Sequence, residues 1–221
     1  MNKKQTFQEQ LKPLEQIFEP DERQKAFSRT LQDRHESLSQ IILNDNVPLN
    51  VKELFETAKN LSLYSWFVYR FHQAAELISF SALEMALRER YLGENPPQNN
   101  SNKRPPSLGK LMQHAKNQGW IINENFPGIY NRAKRLAEDR KNTEKIKSHD
   151  FEKQPLMLHE EANEREIATA MADIDVVGAM SNNTHHIRND LAHGSSTLHP
   201  DSDATLRKHA EVINQIYPSH I

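Results

Sequence analysis

The sequence predicts an all-α protein, a mostly antiparallel helical bundle carrying an N-terminal helical extension. Three observations predict it. Among 221 residues there are only 6 Gly and no Cys, and 26% are charged. Apolar residues recur at three- and four-residue intervals through most of the chain, the period of a helix packed on one side. The one short strand-like run, Trp120-Ile121-Ile122, has nothing nearby to pair with. The length suits one domain with a sizeable core.

In chain order, residues 7–43 read as two helices divided by Glu19-Pro20-Asp21, the first carried by Phe7, Leu11, Leu14 and Phe18. Asn44-Asp45-Asn46 and Pro48 close this extension, placing a boundary near residue 50 and the bundle over 51–221. Val51 to Leu92 reads as one long helix without internal Gly or Pro, apolar almost all round and so central to the fold. Its few polar residues fall in two clusters, Arg70/Gln73/Glu84/Arg88 and His72/Glu76/Ser79. Glu84 and Arg88 have the spacing of a structural i,i+4 ion pair.

Gly93 to Pro106 reads as a loop, and Ser107 as the cap of a short helix ended by Gly119. Phe126-Pro127-Gly128 leads into the most basic helix, with Arg132, Lys134, Arg135, Arg140, Lys141, Lys145 and Lys147. Residues 103–153 hold twelve Lys/Arg against six Asp/Glu, whereas 154–221 hold four against ten. That asymmetry fits an anionic partner on the basic face or pairing between the two regions. After a loop around Pro155, Glu161 to His193 reads as a single helix that Gly178 could bend, and Asp201 or Ser202 caps a last helix.

The stretch Asn182 to Gly194 carries the chemistry. Met180, Thr184, Ile187 and Leu191 mark its apolar side, while Asn182, His186, Asn189 and His193 share the opposite one. Two imidazoles and two carboxamides stand where a surface helix ordinarily carries Lys and Glu. Gly194 offers a helix stop just after His193, and Arg188 lies part-way round from the polar stripe.

Arg188-Asn189-Asp190-Leu191-Ala192-His193 resembles the R-x4-6-H signature of the HEPN superfamily, with a polar residue directly after the Arg. Tyr69 to Arg88 is similar to an early core helix of the same proteins. The resemblance implies an all-α bundle that meets a second copy to form a metal-independent ribonuclease site. Its implied catalytic residues are Arg188, His193 and Asn189, with His186, Arg70, Glu76 and Asn182 binding substrate or supporting them. It implies RNA as partner, a homodimer, no cofactor, and a separately encoded antitoxin or regulator to restrain a toxin or defence nuclease. The alternative is a non-catalytic module of the same fold that binds RNA, nucleotide or protein.

Other classes find little support. A metal site built from His185, His186, His193 and His199 lacks an i,i+4 histidine pair, and no Cys can contribute. P-loop, dinucleotide-binding and G-x-S-x-G patterns are absent. No run reaches the ~20 apolar residues of a membrane span, and Met1 to Phe7 leads into no apolar signal segment, so the expected location is the cytoplasm.

Overall fold

The structure, a computed structural model, describes residues 10–26, 29–96, 106–149, 160–192 and 200–219. These residues are helical with no strand, and none of their helices is long and apolar enough to cross a membrane. The first helix, α1 (Leu31–Ser39), opens on a reciprocal cap in which Thr30 Oγ1 accepts from Asp33 N at 3.1 Å and Asp33 accepts from Thr30 N at 2.8 Å. It is the second of the two helices expected over 7–43; the described part of the first holds only the 3₁₀ turn Leu14–Gln16, and a further 3₁₀ turn, Glu22–Ala26, precedes α1. Leu11, Leu14 and Phe18 are 79–99% exposed, and the edge contact of Phe18 with Phe67 at 6.4 Å is too little burial to hold an α-helix.

The long helix read over Val51–Leu92 is two, α2 (Leu49–Tyr64) and α3 (Phe71–Glu94), folded back on each other. The reversal uses neither Gly nor Pro. Ser65 Oγ donates to Ser62 O at 2.8 Å, Asp21 N donates to Trp66 O at 2.9 Å, and Tyr69 N donates to Asp21 Oδ2 at 3.4 Å. Side chains and the preceding segment thus satisfy backbone groups that a continuing helix would have satisfied itself. The apparent all-round apolarity is the sum of two one-sided helices out of phase.

The remaining helices are α4 (Leu108–Asn117), α5 (Ile129–Ser148), α6 (Glu164–Ala172), α7 (Val176–Ala192) and α8 (Ser202–Ile216). Gly119 ends α4 at φ +68° and Gly128 precedes α5 at φ +81°, the left-handed conformations Gly tolerates best. Between them Trp120 and Ile121 are buried, and the Arg90 guanidinium lies 4.5 Å over the Trp120 ring. The main core joins Phe55, Leu83, Leu87, Leu111, Met112, Leu206 and Ile213. Leu38, Ile41 and Val47 pack into the same core, so the packed unit begins ahead of residue 51. A second, smaller core (Ile129, Ala133, Ala137, Ile167, Ala170, Ile174) holds α5 to α6.

Helices α3 and α8 run parallel along a polar seam. Rung by rung, His72 meets Ser202 (2.7 Å), Glu76 meets Thr205 (3.4 Å) and Ser79 meets His209 (2.9 Å). At its head Arg34 from α1 donates to Asp203 at 3.0 Å and to Ser62 at 3.2 Å, and Ser62 donates to Asp203 at 2.6 Å. Arg34 and Asp203 are each at most 8% exposed. Ser202 lies inside this network rather than capping α8 with its hydroxyl.

Removing one partner of such a pair leaves the other charged and dry, which costs about 3–5 kcal/mol. Asp203→Ala is therefore expected to lower unfolding free energy by about that amount, and Arg34→Met/Asp203→Leu by much less, measured by urea denaturation. Burial, reinforced by Arg34, pushes His72 down to about 4, and burial pushes His209 down to about 3. Both are ordinarily near 6.5, so below that pH the unfolded chain binds protons that the fold does not, and stability falls as pH drops from 6.5 to 4. A thermal midpoint that falls across that window in the wild type, with a flatter slope in His72→Asn, is the expected result.

Candidate functional site

The helix read over Glu161–His193 is interrupted at Asp173–Asp175, three residues before Gly178, and the described part of the motif, Arg188 to Ala192, lies on α7. Asp175 starts α7: its Oδ1 accepts from Gly178 N at 2.7 Å, and its Oδ2 accepts from Lys116 Nζ of α4 at 2.9 Å. The Lys116 bond, then the Gly178 amide, hold this carboxyl below the usual carboxylate range. A Cβ on Gly178 would lie 2.0 Å from Asp175 Oδ2. The glycine is there so that the cap can fold over the helix start, rather than as a bend.

From this start α7 presents two polar surfaces. Val177, Ser181 and Thr184 are buried, and Asn182, His186 and Asn189 are exposed in one line. Asn182 and His186 line a cleft of about 520 Å³ with Ser107, Lys110 and Gln113 from the start of α4. Lys110 and Gln113 did not stand out in the sequence, because a Lys and a Gln three apart on a surface helix are ordinary.

Arg188 reaches across to α3. Its Nη2 lies 3.9 Å from Glu84 Oε2, and its Nη1 donates to Asn189 Oδ1 at 3.4 Å. Glu84 also takes Arg88 at 2.5 Å, the i,i+4 pair expected from the spacing. One carboxylate thus stands between two guanidiniums, and the buried Nε of each has no acceptor among the described residues. The cluster carries a surplus positive charge, and its contacts are open enough to water that the ion pairs themselves contribute little stability.

The other named residues lie elsewhere. Arg70 is exposed at the start of α3, 14 residues and so ~21 Å along the helix from Glu84. Glu76, on the α3–α8 seam, is ~12 Å from Glu84 by the same measure. His193, with Gly194 and His199, lies outside the described residues. The structure therefore gathers Arg188 and Asn189 with Glu84 and Arg88, and Asn182 and His186 with α4, and brings Arg70 and Glu76 to neither group.

Much of the basic character of α5 is met within the fold. Arg140 pairs with Asp173 at 2.8 Å, Lys141 with Glu166 at 3.2 Å and Lys145 with Glu160 at 3.1 Å. Comparison with protein-family models, with curated proteins and with solved structures finds no match.

Gly178→Ala is expected to expel Asp175 from its cap position and cost about 1 kcal/mol in unfolding free energy. Asp175→Asn, which keeps the capping oxygen and loses the Lys116 charge pair, is expected to cost less by the same measurement.

Proposed function

We propose that this protein is an RNA endonuclease of the HEPN type, working without metal at a site formed by two copies of α7. The observation that carries the reading is the exposed Asn182–His186–Asn189 line ending beside Arg188, which sits in a cluster of surplus positive charge. The stripe is exposed and so lies outside the core, and its carboxamides and imidazole can donate and accept hydrogen bonds. Next to cationic groups it suits a phosphodiester, whose negative charge grows in the transition state.

In this reading His193 removes the proton of a ribose 2′-OH, and the 2′-oxygen attacks the adjacent phosphorus. A second imidazole, from the other copy, protonates the departing 5′-oxygen. The products are a 2′,3′-cyclic phosphate and a free 5′-hydroxyl. Arg188 neutralises the phosphorane, and Asn189 holds His193 or the substrate. One chain supplies one motif histidine, so acid and base require two chains. Ile187, 48% exposed beside Arg188, supplies apolar surface for that contact. A nuclease of this kind requires restraint, so its partners are RNA, a second copy, and a separately encoded antitoxin or regulator. Toxin or defence roles follow from that activity, in the cytoplasm.

The contact of Arg188 with Glu84 favours a second reading, a non-catalytic module of the same fold in which Arg188 serves packing. Cleavage of mixed cellular RNA in EDTA separates the two. The expected result is cleavage by wild type and a loss of about a hundredfold or more in His193→Ala and Arg188→Ala, with helicity unchanged by circular dichroism. Inert wild type, or equal cleavage by all three, overturns the nuclease reading.

A further inference from the structure

On the opposite side of α7 from the Asn182–His186 cleft lies a larger one, of about 780 Å³, between α5, α7 and α8. Its walls are Phe80, Phe126, Leu136, Met180 and Ile187, and at its floor stands His209. That histidine is 3% exposed, with its ring 4.4 Å from Phe80. Its proton can be placed by elimination. Ser79 Oγ–H donates to Glu76 O at 2.7 Å, so the serine has no hydrogen left for the 2.9 Å contact with His209 Nδ1. Nδ1 therefore carries the hydrogen and donates to Ser79, and Nε2 keeps a bare lone pair with no protein partner among the described residues. Burial keeps the ring neutral at physiological pH. An acceptor open to the floor of an apolar cleft offers a ligand donor one fixed point of attachment.

The rim is charged. Asp173 and Asp175 also line the cleft, but Arg140 and Lys116 pair with them. Arg132, Arg135 and Lys208 have no ion-pair partner among the described residues, and the carboxylates they share the rim with are Asp139 and Glu211. Burial pushes Glu211 above the usual carboxylate range, and these three cations face two carboxylates at the rim. The volume is that of a site for one small organic molecule.

We propose that this cleft binds a small aromatic acid that donates an N–H or O–H to His209 Nε2 and sets its acidic group against Arg132, Arg135 and Lys208. The apolar walls enclose the ring, the histidine selects for a donor at depth, and the cations select for an anion at the mouth. The site shares Ile187 with the proposed dimer contact but uses none of the residues assigned to RNA cleavage itself, and stands whether or not that activity exists.

The test is titration of the full-length protein with 8-anilinonaphthalene-1-sulfonate, which combines aromatic rings, one N–H and one sulfonate and fluoresces when enclosed. The expected result is saturable binding at one site per chain, weakened about tenfold by Arg132→Ala/Arg135→Ala. His209→Phe, which keeps the ring and removes the acceptor, is expected to weaken it as well. Should His209→Phe fail to fold, Met180→Trp blocks the cleft from its wall and abolishes binding in its place. Leu14→Ser/Phe18→Ser, in the exposed N-terminal apolar patch, is expected to leave binding unchanged. Absence of saturable binding overturns the proposal. So does binding that survives the arginine and cleft-blocking variants, or that disappears with the N-terminal ones.

Discussion

The pairing of Arg34 with Asp203 is the contact on which the rest of this architecture depends. It joins α1, the first helix of the packed unit, to α8, the last, and Ser62 brings α2 into the same cluster. The two buried charges are held by each other and by the Ser62 hydroxyl and the His72 imidazole, all of which meet Arg34 through Nη2, while its Nε has no acceptor among the described residues. Apolar packing alone would let α8 slide along α3. The rungs from His72 to His209 favour one register, because a shift of one residue would part His72 from Ser202 and Ser79 from His209, all four of them buried. The seam thus sets where α3 and α8 stand, and α3 in turn carries Glu84 to Arg188.

The two buried histidines of the seam are complementary in their protons. Ser65 has given its hydrogen to Ser62 O, so His72 must donate to it through Nε2, 3.1 Å away. His209 must donate through Nδ1 for the same reason. One ring is thereby closed into the network, and the other keeps its second nitrogen for the cleft. A backbone carbonyl one turn earlier decides, through a serine, which nitrogen of each imidazole is basic.

The all-helical class and most of the later helix positions were legible in the sequence, because they rest on 3.6-residue periodicity and on glycines such as Gly119. The exposed stripe of α7 was legible for the same reason. The break between α2 and α3 was not: it depends on Ser65 and on Asp21 more than forty residues away, and no local breaker marks it. The break before α7 is marked by Asp175 and Gly178, a cap and the space for it, but reading that pair requires knowing that Lys116 holds the carboxylate in place. Arg70 illustrates a further limit. On a wheel for one continuous helix it shares an arc with Glu84, yet helical angle says nothing of the length of helix between them.

Three of the six residues in the second core are alanines, and the ion pairs around it lie at the surface. The α5–α6 hairpin accordingly has a much smaller apolar core than the helices keyed to Asp203, and the two parts are expected to differ in local stability. Native-state amide exchange would find α5 and α6 opening together, at a lower free energy than α3 and α8. Since α5 forms one wall of the larger cleft, the excursion that exposes its amides is also the route by which a molecule enclosed there enters and leaves.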